Sequence, residues 1–288
     1  MAQLPTSRPA AKKRSSAALK PRPSIDDSNS PQYAAPALDK GLDILEILTD
    51  AEHGLSMAEI AQQLGRSMSE IFRMVITLER RGWVSSDRGD RYHLSSMMFE
   101  LAHRNRPVRT LVEAALPTMQ AIVRRARQSC HVSVVESGRV LVIAHVEAPG
   151  TLSLSVRTGS VVNLFTTASG QILLAFRSVE ERLRLVEDHI LLFGEPPVSE
   201  TEWIAAIETV AREGFACSPS HQTLGVTDIG CPLWDRNGLC VGALVVPYLE
   251  CRGIQRGPSV EGVLDMLKTG AEELSRALGY QAPAGGGR

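Results

Sequence analysis

The chain has 288 residues, 43% of them apolar and 22% charged, the composition of a globular protein with apolar material for about two cores. Lys plus Arg number 31 and Asp plus Glu 32, a formal net charge of −1. That excludes a uniformly basic nucleic-acid binder but not a local DNA-binding face. No run approaches the roughly 18 unbroken apolar residues of a membrane span, and the N-terminus carries no apolar secretory core. Cys130, Cys217, Cys231, Cys240 and Cys251 include no C-x-x-C pair. A reduced, cytoplasmic setting with no membrane is therefore the simplest expectation.

Residues 1–36 are rich in Pro, Ala, Ser and basic groups, with Lys12-Lys13-Arg14 followed by Lys20 and Arg22. Few large apolar side chains are present to offset ordering entropy, so the segment reads as a disordered basic tail, solvated or touching DNA phosphates. Residues 37–95 are dense in signals. Leu38, Leu42, Leu45 and Leu48 recur at helical spacing, with Ile44 and Ile47 widening the stripe. Ser56-Met57-Ala58-Glu59 and Ser67-Met68-Ser69-Glu70 are two S-x-x-E capping boxes. The first opens a short helix stopped at Gly65, the second a longer helix with Ile71, Val75 and Leu78 on one face, ended at Gly82. Two capped helices joined by a tight Gly turn predict a helix-turn-helix. Trp83–Ser86, the Asp87-Arg88-Gly89-Asp90 turn and Arg91–Leu94 predict a hairpin, the wing of a winged helix.

Such a module presents its second helix, amino end first, to the DNA major groove. The solvent face predicted for that helix carries Ser67, Met68, Ser69, Phe72, Arg73 and Thr77. Arg73 supplies a bidentate fork for guanine or phosphate, Ser69 a hydroxyl for a base edge or phosphate, and Met68 or Phe72 an apolar contact for a thymine methyl. Arg66 suits a phosphate, and Arg88 and Arg91 in the wing suit the adjacent minor groove or backbone. Residues 37–106 hold nine Lys/Arg against eleven Asp/Glu. DNA contact therefore needs asymmetry, with acids such as Asp43, Glu46 and Asp50 turned away. The same acidic balance is the argument for a winged helix that binds protein instead.

Residues 96–108 read as a linker helix interrupted at Pro107, followed by a long helix near 108–128 that Pro117 should bend or restart. Residues 109–280 mix strands and helices. Strands are predicted at 131–135, 140–146, 151–156, 215–218, 228–234 and 239–247, and helices after Thr167, near 179–189, 200–213 and 258–278, before a flexible tail at 281–288. His131 and His145 fall on adjacent strands. Thr167-Ala168-Ser169-Gly170 reads equally as a helix cap and as a place where hydroxyls and free N–H groups receive a carboxylate. No ligand spacing supports a metal and no cofactor motif is present. An enzyme with an accessory helical module lacks any nucleophile or phosphate-loop signature.

The stretch GLSMAEIAQQLGRSMSEIFRMVITLERRGWV with its wing resembles the IclR family of bacterial transcriptional regulators. So do HVSVVESGRVLVIAHVEAPG, TTASGQILLAF and LGVTDIGCPLWDRNGLCVGALVV, in the family's order. The resemblance covers about residues 37–278. It implies an α+β chain: an N-terminal winged helix-turn-helix domain and a C-terminal effector domain of GAF-like topology with a mostly antiparallel sheet. It also implies a homodimer or tetramer on double-stranded operator DNA. Ser69 and Arg73 match positions of the family's recognition helix, while Glu70 and Met68 stand where Thr and Lys are usual. The effector would sit against the sheet beside the helix after Thr167-Ala168-Ser169-Gly170, within reach of His131, His145, Asp228, Cys231 and Val245. Asp228 replaces the Cys frequent in small-acid binders, and Val245 and Pro247 replace polar groups. The resemblance thus points away from glyoxylate-like acids and toward a hydroxylated, aromatic or partly apolar metabolite.

Overall fold

The computed structural model describes residues 35–150, 153–189, 198–250 and 257–281. The predicted tails at 1–36 and 281–288 lie almost entirely outside them. The chain divides between Arg104 and Asn105 into two compact units.

In the first unit, α1 (Pro36–Thr49) is followed by β1 (Leu55–Ser56), α2 (Met57–Gln63), α3 (Met68–Arg80), β2 (Val84–Ser86), β3 (Arg91–Leu94) and α4 (Met97–Arg104). Both predicted capping boxes are present, Ser56 with Glu59 and Ser67 with Glu70. Gly65 and Gly82 follow α2 and α3 with φ of 61° and 77°, the left-handed turn that a side chain resists. The core gathers Ile44, Leu45 and Leu48 of α1, Ile60 of α2, Ile71 and Val75 of α3 and Val84 of the wing. Leu38 and Leu42 belong to the α1 sequence stripe but stand exposed. The sheet has a third strand that the sequence reading did not contain: β1 pairs with β3, Leu55 opposite Tyr92. Two residues are too few to show a period.

The second unit runs α5 (Arg106–Ala126), β4 (Cys130–Glu136), β5 (Arg139–Val146), β6 (Val161–Val162), α6 (Ala168–Ala175), α7 (Val179–Glu187), α8 (Glu200–Glu213), β7 (Ala216–Pro219), β8 (Val226–Trp234), β9 (Cys240–Leu249) and α9 (Val260–Ala277). α5 continues through Pro117 as one helix. The strands form one six-stranded sheet in the order β6-β5-β4-β9-β8-β7, each pairing antiparallel. The strand predicted at Thr151–Val156 is not formed where it is described, because residues 153–157 are irregular. The chain turns back between Arg157 and Ser160, and the short β6 takes the edge beside β5.

Strand alternation assigns side chains to two layers. Ile229, Cys231, Leu233, Leu244 and Val246 pack with Leu111, Met119 and Val123 of α5 and with Val263, Leu267 and Leu274 of α9. Ala243 and Val245 face the other way, packing with Ile172 and Leu173 of α6 and with Trp203 and Ile207 of α8. α6 lies so close to the sheet that every residue from Ala168 to Ala175 is buried. Glycine permits close contact at two places, against the sheet at Gly230 and against the turn leading into α6 at Gly170. A Cβ at Gly230 would stand 2.7 Å from Ile172 Cδ1, and one at Gly170 only 2.0 Å from the Leu164 carbonyl oxygen. The Leu164 contact is with backbone and cannot be relieved by a rotamer change. Gly170→Ala is therefore expected to destabilise the second unit by about 1–3 kcal/mol, the usual cost of overpacking. Thermal unfolding of the full chain checks this, and an unchanged transition would contradict the close approach.

Candidate nucleic-acid interface and internal cavity

The amino end of α3 is built from three residues. Ser67 is the N-cap in extended conformation, and its Oγ accepts the Glu70 N–H at 3.4 Å. Glu70 returns the bond, its Oε2 accepting the Ser67 N–H at 3.0 Å and the Ser67 hydroxyl at 2.9 Å. Its other carboxylate oxygen pairs with Lys40 Nζ of α1 at 3.2 Å. The Ser67 backbone bond and hydroxyl, and then Lys40, hold the Glu70 carboxyl down to about 2. With Ile71 and Val75 buried, two exposed rows remain on α3: Ser69, Arg73 and Thr77, and beside them Met68, Phe72 and Ile76. Ser69 Oγ lies 3.1 Å from Ser67 Oγ. The Thr77 hydroxyl donates to the Arg73 carbonyl at 2.7 Å. Arg66, just before the helix, lies near Asp43; burial raises the Asp43 carboxyl and Arg66 partly offsets this.

In the wing, Asp87 Oδ1 accepts the N–H groups of Gly89 and Arg91 at 2.8 and 3.0 Å, which shapes the turn and leaves Arg88 exposed at its tip. Arg91 has a different employment from the one its sequence position suggests. Its Nε donates to the His53 carbonyl and its Nη2 to the Gly54 carbonyl, each at 2.9 Å, and Nη2 also reaches Glu59 at 3.0 Å. Those donors brace β3 against the α1–β1 turn and α2, and are not presented to a nucleic acid.

In the second unit a cavity of about 500 Å³ opens on the α6 side of the sheet. Its wall takes His131 from β4, Asp228 from β8, Val245 and Pro247 from β9, and Thr167, Ala168 and Ser169 from the start of α6. Ser155 comes from the segment predicted as a strand, Arg157 and Ser160 from the turn after it, and Ser220, Gln222 and Thr223 from the β7–β8 loop. His131 sits in the sheet directly between His145 and Val245. Its Nε2 is 3.4 Å from Ser169 Oγ, while Nδ1 is buried without a hydrogen-bond partner among the described residues. Burial, and secondarily His145, lowers the His131 imidazole to about 3, so it is neutral at physiological pH. Ser169 Oγ also donates to Ser133 Oγ at 3.1 Å. Thr167 is a working cap: its hydroxyl donates to the Asn163 carbonyl at 2.6 Å and accepts the Gly170 N–H at 3.2 Å. Asp228 is raised by burial, with a Ser220 hydrogen bond and His221 lowering it in part. Arg157 makes no salt bridge within 4.0 Å among the described residues. No group of three or more His, Cys, Asp or Glu among the described residues could hold a metal.

Comparison with known proteins decides the family. The IclR helix-turn-helix domain matches residues 37–88, and the bacterial transcriptional regulator IclR C-terminal domain matches residues 107–276. The chain belongs to the IclR family of bacterial transcriptional regulators. Curated IclR-family relatives include the transcriptional regulator KdgR of Escherichia coli, 24% identical over 82% of this chain and 90% of its own length. The glycerol operon regulatory protein of Streptomyces coelicolor is 25% identical over 84% of this chain and 96% of its own. These relatives are transcriptional regulators, not enzymes. Among solved structures, the Thermotoga maritima IclR has a TM-score of 0.66 at 24% identity, covering 85% of this chain and 99% of that one. An IclR homologue from Microbacterium hydrocarbonoxydans, complexed with 4-hydroxybenzoate, has a TM-score of 0.71 at 21% identity, covering 84% and 98%.

Within this IclR-family fold the sequence-derived site residues separate into groups. Ser67, Met68, Ser69, Phe72, Arg73 and Thr77 share the outer side of α3, joined by Ile76, which the sequence reading passed over although it continues the four-residue spacing of Met68 and Phe72. His131, Thr167, Ala168, Ser169, Asp228 and Val245 meet at the cavity. Cys231 does not: three residues beyond Asp228, it falls on the opposite face of its strand and packs with the α5 and α9 layer. Gly170 is spent on the contact with Leu164. His145 stands behind the wall, its Nε2 3.0 Å from the cavity residue Ser155. Arg157 and the hydroxyls of Ser155, Ser160 and Ser220 were not picked out as ligand contacts, since loop chemistry has no period to betray it.

The low Glu70 value gives the α3 cap a pH signature. A carboxylate depressed below its ordinary 4.5 stabilises the fold at pH above that value, and the contribution is lost as pH falls toward about 2. Protection of the first-turn amides of α3, measured against the intrinsic exchange rate at each pH, is expected to fall over that window, and Glu70→Gln to flatten the response. A pH-independent first turn would contradict the cap.

Proposed function

We propose that this IclR-family regulator binds double-stranded operator DNA through the outward face of α3, and that a small metabolite in the α6 cavity alters that binding. The observation that carries the first half is the exposure of Ser69 and Arg73 on one capped helix whose opposite stripe, Ile71 and Val75, is buried. A guanidinium there can read guanine or grip phosphate, and the capped end fixes the helix direction. Arg66 and the wing-tip Arg88 add phosphate contacts on either side. The expected assembly is a cytoplasmic homodimer or tetramer with two recognition helices about one DNA turn apart on a pseudo-palindrome.

The cavity supports the second half. Its volume suits a small metabolite. The wall pairs a cation, Arg157, and serine hydroxyls with a neutral imidazole and apolar Val245 and Pro247. A hydroxylated or aromatic acid fits this wall: carboxylate toward Arg157, hydroxyl toward Asp228 or His131, ring over the apolar part. The 4-hydroxybenzoate complex of the Microbacterium homologue supports that class of ligand. Effector control requires only that the ligand bind two assembly states with different affinity.

Two measurements on the full chain test these halves. In a salt-titrated gel shift on DNA from upstream of its own gene, binding should fall steeply with salt. Arg73→Ala should weaken specific binding by about 10-fold or more, while thermal unfolding is unchanged. Equal affinity of the variant would remove α3 from the groove. 4-Hydroxybenzoate and related acids should raise the melting temperature by mass action, and Arg157→Ala should abolish the rise. A rise retained in the variant would contradict the assigned carboxylate partner.

A further inference from the structure

α3 carries an apolar ridge that its fold does not use. Met68, Phe72 and Ile76 are 54%, 52% and 38% exposed, at successive four-residue steps. On one helix that spacing makes a continuous stripe, parallel to the polar row of Ser69, Arg73 and Thr77. The core does not need it, since Ile71 and Val75 already fill the buried stripe. The helix start is also poorly suited to a phosphate. Glu70 places its own carboxylate there, balanced only by Lys40 at 3.2 Å.

Resting on the reading of α3 as the groove helix, we propose that Met68, Phe72 and Ile76 read thymine 5-methyl groups and so fix the thymine positions of the operator. The major groove presents one apolar feature, the thymine methyl, next to the acceptors that Arg73 can address. Four residues of helix advance about 6 Å, and two base pairs advance about 6.8 Å. A helix aligned with the groove therefore sets the ridge against methyl groups about two base pairs apart, while the neighbouring row holds the polar edges. Arg73 stands on the row beside the ridge, Arg66 two residues before the helix and Arg88 exposed at the wing tip, cations that match a polyanion rather than an apolar protein surface.

The test uses the full chain and two versions of its upstream DNA, one amplified with dTTP and one with dUTP, which differ only in the methyl groups. Wild type should bind the uracil DNA about sixteenfold more weakly, from about fourfold for one buried methyl in each of two half-sites. Phe72→Ala should lose affinity for thymine DNA and most of this discrimination, while Phe72→Leu, which keeps an apolar contact, should retain it. Phe72 is exposed, so an unchanged melting temperature confirms that each variant folds. Equal wild-type binding to both DNAs overturns the ridge assignment and leaves DNA binding by α3 standing. Equal discrimination by wild type and Phe72→Ala traces the effect to duplex shape, and likewise overturns it. Binding to neither DNA removes the groove reading itself.

Discussion

A thirteen-residue helix with 3.6 residues per turn can bury only one stripe against two neighbouring helices. In α3 that stripe is Ile71 and Val75, and the choice decides which other residues face outward. Two devices fix the rotation. The Ser67–Glu70 capping box defines where the helix begins, and the Glu70–Lys40 pair ties that beginning to α1. As a partly exposed surface ion pair, the Lys40 bond adds little to stability. Its value lies in orientation. Glu70 is thereby put to structural use, and the rows that start at Met68 and Ser69 are left facing outward.

The second unit applies the period of two in the same way. Across one rung of its sheet stand His145, His131, Val245, Gly230 and Ala216, all on the α6 side. Gly230 lets α6 descend at Ile172, while His131 and, two residues along β9 from that rung, Pro247 border the space left beside the start of α6. The cavity is therefore a consequence of how closely one helix can approach one sheet. Because burial keeps His131 neutral, the floor of the cavity holds no fixed charge, and Asp228 and Arg157 supply the charges near its wall.

Much of this was legible from residue order alone. The two capping boxes, the glycine stops and the wing have local signatures, and each appears where the sequence places it. Most strands of the second unit followed from short alternating runs, and their antiparallel arrangement from the family resemblance. What escaped was non-local. β1 exists only because β3 lies beside it. The alternation of residues 153–156 suggested a strand, yet the edge of β5 went to Val161–Val162. Arg91 looked like a wing cation until its partners, His53, Gly54 and Glu59, were brought to it by the fold. Cys231 was expected within reach of the effector, although its odd separation from Asp228 along β8 sends it to the other face.

The account stands on the claim that the outer rows of α3 enter the major groove. Dimethyl sulfate protection on the bound upstream DNA tests this directly, because the reagent attacks guanine N7 on the groove floor. Protection is expected in two short patches about one helical turn apart, with the Arg73→Ala protein losing it at the guanine that Arg73 contacts. Full binding with every guanine N7 still reactive would contradict the account, and would assign recognition to some other surface of the molecule.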